Sequence, residues 1–233
     1  MKEVVKKCLS ELIVSCQAYE DTPLYGAENM KKMVECAVMG GANVVRCCWV
    51  QDIKAARQVS KDLIIVGIKK VYPTESNNGI FITPTFEDAK EIIEAGADII
   101  ALDTRFTEKR PKEELYELLK QIHQNYPKIG VMADCSTYEE GIFCAQSGFV
   151  DIISTTLSGS TDKTLIGPDI ELIKKFKKNT DLPVNAEGRI WELADIDAVV
   201  NAGADMITIG TAITRPHLIT ERFVSHYRKI VNN

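Results

Sequence analysis

The chain is short of the residues that usually announce a metal or a redox cofactor. Only three histidines occur in its 233 residues, His123, His217 and His226, and none stands at metal-ligand spacing, so no metal is expected. The seven cysteines are odd in number, form no Cys-x-x-Cys and include the adjacent Cys47 and Cys48. They read as reduced thiols of a cytosolic protein, not as a disulfide framework or a zinc site. No stretch approaches the ~20 apolar residues of a membrane helix. Glu3 and Glu11 interrupt the first segment and no small-residue cleavage site follows, so no signal peptide is expected. Aromatics make up 7% of the chain, no Lys/Arg tract occurs and the formal charge is -5. Nucleic acid and anionic membranes, which favour basic patches, are therefore not expected as partners. A few placed arginines could still hold a small anionic substrate. Neither a G-x-G-x-x-G after an early apolar run nor a G-x-x-x-x-G-K-[ST] is present, which speaks against a dinucleotide fold and a P-loop.

What is present is a regular alternation, in a composition of 45% hydrophobic and 26% charged residues that suits a globular core. Val- and Ile-rich runs occur within 9–16 and at 43–47, 63–68, 98–102, 128–133, 150–154, 182–186 and 205–210. Such runs read as strands buried on both faces, as in a parallel sheet. Amphipathic segments separate them. In one of these, Leu115, Leu118, Leu119 and Ile122 share a face behind a helix start made by Pro111, Glu113 and Glu114. A small punctuation recurs at 40–43, 95–98, 147–151 and 202–205, each time a glycine followed within a few residues by Asn or Asp. It closes a helix and opens a strand. Eight βα units in this length predict one (β/α)8 barrel domain over residues 1–233, of the phosphate-binding type. A doubly wound sheet is the structural alternative.

Chemistry in such a barrel gathers where strands end. The polar residues just past the runs are Gln17, Arg46, Lys69 with Lys70, Asp103 with Arg105, Asp134, Thr155 with Thr156, Glu187 with Arg189, and Thr211 with Arg215. Lys69 leaves a buried strand directly, which makes it the candidate base or Schiff-base nucleophile, with Lys70 pointing the other way. Glu187 supplies a carboxyl acid or base. Gly188 with Arg189, and Gly210 with Thr211, form two glycine-bearing turns at adjacent strand ends, the common place for a phosphate cradle. Gly210 could instead only relieve a tight loop, and Arg189 could form a surface ion pair. Cys16, Cys47, Cys48 and Cys135 lie near strand ends with no histidine to activate them, so they read as small buried apolar residues.

At these positions the sequence resembles the bacterial N-acetylmannosamine-6-phosphate 2-epimerases. Ser-Cys-Gln-Ala (15–18), Pro-Leu-Tyr (23–25), Ile-Thr-Pro-Thr (82–85) and Met-Ala-Asp-Cys-Ser-Thr (132–137) carry the likeness, in the family's order. So do Ser-Thr-Thr-Leu-Ser-Gly (154–159), Ala-Glu-Gly-Arg-Ile (186–190) and Gly-Thr-Ala-Ile-Thr-Arg-Pro (210–216). The resemblance implies a (β/α)8 barrel that interconverts N-acetylmannosamine 6-phosphate and N-acetylglucosamine 6-phosphate without organic or metal cofactor. It implies Lys69 and Glu187 as catalytic residues, and Gln17, Arg46, Asp134, Thr156 and Arg215 as substrate-site residues. Gly188, Arg189, Gly210 and Thr211 would then hold the phosphate. The implied setting is amino-sugar or sialic acid catabolism in the cytoplasm.

The departures from the family pattern are local. The family usually has Gly-Ile-Ile-Lys-Arg where this chain has Gly67, Ile68, Lys69 and Lys70, and a count shifted by one would turn Lys70 inward. Ser160 replaces a usual aromatic, the loop after Asp103 carries an insertion, and Cys48 and Trp49 stand where a polar and a small residue are common. A lysine Schiff-base aldolase or lyase on a phosphorylated sugar is the alternative activity. A weakly catalytic sugar-phosphate binding protein is the alternative without one. Barrels often pair, so a homodimer is an expectation that no particular residue carries.

Overall fold

The computed structural model describes residues 1–72, 79–107, 110–161 and 163–232, without the side chains of residues 160 and 161. The Ser160 departure and part of the loop insertion after Asp103 therefore lie outside the described residues.

Each apolar run forms a strand. In chain order these are β1 (Leu12–Cys16), β2 (Val44–Cys48), β3 (Ile64–Ile68), β4 (Ile99–Asp103), β5 (Gly130–Asp134), β6 (Ile152–Ser154), β7 (Val184–Glu187) and β8 (Met206–Ile209). Every neighbouring pair is parallel, and β8 pairs with β1, so the sheet closes into a barrel. After the opening turn α1 (Glu3–Lys6), helices α2 (Ala27–Met39), α3 (Val50–Val59), α4 (Phe86–Glu94), α5 (Lys112–Asn125) and α6 (Tyr138–Ser147) follow β1 to β5. The short α7 (Ser158–Thr161) and α8 (Ile170–Asn179) follow β6, and α9 (Leu193–Asn201) follows β7. The short α10 (Thr211–Thr214) and α11 (Pro216–Val231) follow β8. This is the (β/α)8 fold.

The repeated punctuation ties the strand starts together. In its two Ala-Gly-Ala-Asp copies, Gly96 and Gly203 take φ values of 115° and 100°, which a side chain disfavours. The acid that follows then caps a neighbouring strand. Asp98 Oδ2 accepts from the Ile65 N–H at 2.8 Å, Asp205 Oδ2 from Val184 at 2.8 Å, and Asp151 Oδ2 from Val131 at 2.9 Å. Each of these carboxylates also meets a cation: Arg57, Lys177 and Lys2 respectively. Lys2 further donates to the Ile129 carbonyl just before β5, so α1 closes the N-terminal end of the barrel, with Val5 and Cys8 in its floor.

Two apolar layers result. Ile13, Val44, Ile64, Val66, Ile68, Ile99, Met132, Ile152 and Met206 fill the barrel interior, while Val14, Val45, Ile65, Ile100 and Val131 pack outward on the helices. Alternation then decides what faces the mouth. Two residues beyond the interior Ile13, Val44, Met132, Ile152 and Met206 stand Ser15, Arg46, Asp134, Ser154 and Thr208. The interior is apolar below and polar above.

One helix departs from the barrel pattern. No residue of α11 is buried, and Phe223, Tyr227 and Ile230 are exposed on it. Beside β1 and α2 runs a cavity of about 420 Å³ lined by Leu12, Val14, Met33, Cys36, Ala37 and Ile213, where the eighth helix of a barrel would normally lie. Among the described residues, no helix is long and apolar enough to cross a membrane.

Candidate active site

A buried ionic and hydroxyl network occupies the polar layer. Arg46, 1% exposed, donates from Nη2 to Asp134 Oδ2 at 2.5 Å and from Nη1 to Asp134 Oδ1 at 3.1 Å and Glu187 Oε2 at 3.0 Å. Thr156 Oγ1 lies 2.7 Å from Asp134 Oδ1 and 3.1 Å from Glu187 Oε2. The chain continues through Ser154, 2.7 Å from Thr156, to Asn185, whose amide donates to Ser154 at 2.7 Å and accepts from Thr208 at 3.0 Å. Five strands are thereby joined beneath the mouth.

The charges are unequal in their consequences. Burial works against the Arg46 charge, but Asp134 and Glu187 outweigh it, so this guanidinium holds its proton more tightly than an ordinary arginine. Glu187 moves the opposite way for a carboxyl. Burial and the Asp134 charge raise its pKa, against the opposing pull of Arg46. Two carboxyl groups sharing one Nη1 and one hydroxyl are a natural place to hold a proton.

Above the network opens a cavity of about 230 Å³, lined by Gln17, Lys70, Glu187, Arg189, Thr211 and Arg215 among others. Lys70 Nζ donates to the Tyr19 hydroxyl at 2.7 Å, and Arg215 stacks over the same ring at 5.2 Å. Gln17 Nε2 donates to Ser15 Oγ at 2.6 Å, while its buried Oε1 has no partner among the described residues. The Gly188–Arg189 turn and Gly210 border the cavity. Arg189 directs its guanidinium to the neighbouring loop, donating to the Gly167 carbonyl at 2.7 Å and Ser158 Oγ at 2.9 Å. Gly210 packs closely on β1, since a Cβ there would stand 3.3 Å from Ser15 Cβ.

The expectation for Lys69 is corrected. Its ammonium lies outside the barrel, 2.8 Å from Asp88 Oδ1 and 2.7 Å from Glu91 Oε2 on α4, and Lys69 is not among the residues lining the cavity. Burial opposes its charge, but the bonds to Asp88 and Glu91 prevail and raise its pKa, so the ammonium holds its proton more tightly. The reason is parity: Ile64, Val66 and Ile68 point inward, so Lys70 does too. The family's Gly-Ile-Ile-Lys spacing, counted from Gly67, falls on Lys70. Gly67, between the inward Val66 and Ile68, faces the helix side, where a Cβ would fall 2.5 Å from Ile92 and 2.6 Å from Ala97.

Gln17, Arg46, Asp134, Thr156, Glu187 and Arg215 do converge at the mouth. Thr155 instead bridges strands, donating to the Glu187 carbonyl at 3.0 Å and accepting its N–H at 3.1 Å. Tyr19, Ser154, Asn185 and Thr208 were missed, because none stands beyond a strand end as a charged residue. Cys16, Cys47, Cys48 and Cys135 are buried, and burial pushes the Cys16 and Cys48 thiols up to about 12, so none is an activated nucleophile.

Residues 30–229 match the family described as "Putative N-acetylmannosamine-6-phosphate epimerase". A curated relative of that name, a 2-epimerase of Caldanaerobacter subterraneus subsp. tengcongensis, is 44% identical over 229 residues, covering 97% of this chain and 95% of its own. One from Clostridioides difficile strain 630 is 40% identical over 223 residues, covering 95% and 97%. The solved structure of the N-acetylmannosamine-6-phosphate 2-epimerase from Clostridium perfringens superposes with a TM-score of 0.85 at 36% identity, covering 96% of each chain. A solved chain described as "QR15, an Aldolase" reaches a TM-score of 0.67 at 18% identity, a likeness of fold alone. The chain belongs to the N-acetylmannosamine-6-phosphate epimerase family.

Proposed function

We propose that this chain interconverts N-acetylmannosamine 6-phosphate and N-acetylglucosamine 6-phosphate, as an N-acylglucosamine-6-phosphate 2-epimerase, an isomerase acting on carbohydrate. The observation that carries this is the meeting of Lys70 and Glu187 on one cavity at the barrel mouth, over a buried Arg46–Asp134 pair. Inversion at C2 needs a proton removed from a carbon made acidic by the C1 aldehyde of the open chain. Lys70 takes the C2 proton on its amine and leaves an enolate across C2, C1 and O1. The same ammonium returns a proton to the opposite face after the bound sugar rotates. Glu187, whose raised pKa suits an acid, gives a proton to the ring oxygen as the bond from C1 to that oxygen breaks and takes the O1 proton as the aldehyde forms; ring closure reverses both transfers.

The remaining residues orient the sugar. Arg46 and Asp134 hold Glu187 and present charge to the substrate end of the network, with Thr156 between the carboxyls. Gln17 Oε1, buried and unpartnered among the described residues, is an acceptor for a sugar O–H or N–H. The phosphate sits at the turns of Gly188–Arg189 and Gly210–Thr211, where the first turn of α10 leaves backbone N–H groups without helical acceptors. Arg215 adds charge from the same side. Binding there, far from C2, lowers the barrier by orientation.

Incubation with N-acetylmannosamine 6-phosphate in D₂O, followed by proton NMR, tests the assignment. Appearance of N-acetylglucosamine 6-phosphate with loss of the C2 proton signal is expected. An unchanged spectrum from folded protein would overturn it, and inactivation by borohydride in the presence of substrate would redirect it to a Schiff-base enzyme.

The working form proposed is a homodimer, in which α11 of each copy covers the open groove of the other. Ile219, Phe223, Tyr227 and Ile230 fall on one face of α11, and the groove beside α2 is lined mainly by apolar side chains. Light scattering should report twice the chain mass. A monomer would overturn this arrangement.

A further inference from the structure

Lys70 stands between two cavities, and only one of them is accounted for by the sugar phosphate. The second, about 460 Å³, opens on the other side of Lys70, where the rings of Tyr19, Tyr25, Trp49 and Phe81 line it together with Glu20 and Gln51. Trp49 is its fixed element. Its φ of 66° is a conformation that bulky residues rarely adopt, and its Nε1–H donates to the Lys70 carbonyl at 2.9 Å while its backbone N–H donates to the Ile68 carbonyl at 2.9 Å. Tyr19 and Tyr25 meet its ring edge-on at 6.2 and 6.1 Å. The indole that shapes this wall thus also holds the peptide of the lysine.

The geometry of the reaction relates the two cavities. A base that reaches the C2–H lies close to the nitrogen on C2, whereas the phosphate on C6 is at the far end of the sugar. With the phosphate turns on the Gly188–Gly210 side of Lys70, the C2 substituent is directed to the aromatic side. A two-carbon acetyl leaves most of a 460 Å³ space unfilled, and aromatic walls favour hydrocarbon. Resting on the epimerase assignment above, we propose that this cavity receives the N-acyl group of the substrate and admits acyl chains longer than acetyl.

The test compares kcat/KM for the N-acetyl, N-propanoyl and N-butanoyl forms of mannosamine 6-phosphate, by C2 proton exchange with the intact protein. The propanoyl and butanoyl substrates should stay within about threefold of the acetyl one, whereas a pocket closed around acetyl rejects an added methylene by on the order of 10-fold or more. A loss of about tenfold per methylene, with normal turnover of the N-acetyl substrate, would overturn the inference and leave the epimerase assignment intact. No turnover of any of the three by folded protein would sink both. A chain pointing into solvent would also be tolerated, so Tyr25→Ala, at a half-exposed ring on the rim, separates the cases. It should raise KM for the N-butanoyl substrate about fivefold more than for the N-acetyl one, with kcat little changed. An equal effect on both would place the acyl chain outside the cavity and overturn the inference.

Discussion

Lys69 and Lys70, adjacent in sequence, leave β3 on opposite faces of the barrel wall. The first ends between Asp88 and Glu91 on α4, and the second ends on the Tyr19 hydroxyl at the rim of the cavity that Glu187 lines. A peptide step of one residue separates a structural ion pair from the proposed base.

The two lysines should therefore respond differently to removal. Lys70→Ala is expected to lower kcat by about a thousandfold, the range for a lost general base. Lys69→Ala should leave turnover within about twofold and cost about 1 kcal/mol of stability or less, since its pairs are partly solvated. Side-by-side turnover of the two variants checks this, and the reverse ranking would return the base to Lys69.

Glu187→Gln should lower kcat on the order of a hundredfold while KM changes little, because the amide keeps the shape of the carboxyl but has no proton to give. Steady-state kinetics on the variant decide it. An unaffected kcat would remove Glu187 from the chemistry.

Asp134→Ala strips the buried Arg46 of its bidentate partner and leaves the cation to Glu187 alone. Breaking such a pair costs about 3 to 5 kcal/mol. Urea unfolding should show that loss as a lower midpoint.

Asp52, in the first turn of α3, is buried with both carboxylate oxygens unpartnered among the described residues, and burial raises its pKa to about 7. The folded protein thus holds a proton that the unfolded chain releases near pH 4, so this group's contribution to stability falls as pH rises from about 4 to about 7 and is level above. Asp52→Asn should raise Tm at pH 8 and lose most of that advantage at pH 4.5. A gap independent of pH would show that Asp52 ionises normally.

Gly67→Ala places a methyl 2.5 Å from Ile92 Cγ2 and 2.6 Å from Ala97 Cβ. Overpacking of this kind costs about 1 to 3 kcal/mol. Thermal unfolding of the variant should register it, with Tm falling by several degrees.

Much of this molecule follows from local sequence. Runs such as Leu63 to Ile68, flanked by amphipathic segments and closed by repeated Gly-Ala-Asp, specify strands, helices and their order, because burial on both faces and helix capping are properties of a few consecutive residues. The same positional logic placed Arg46, Asp134 and Glu187 near strand ends. It did not decide which way a side chain points after a strand buried on both faces. Such a strand has no polar alternation, so the inward parity of Lys70 becomes visible only when Gly67 is found pressed on α4. Nor could it decide that Arg46 would meet Asp134, 88 residues away, and Glu187, 141 away, or that Trp49 and Tyr25 would wall a second cavity beside Lys70. Those pairings arise from barrel closure, which sets strands from distant parts of the chain in register around one axis, and no local pattern encodes that register.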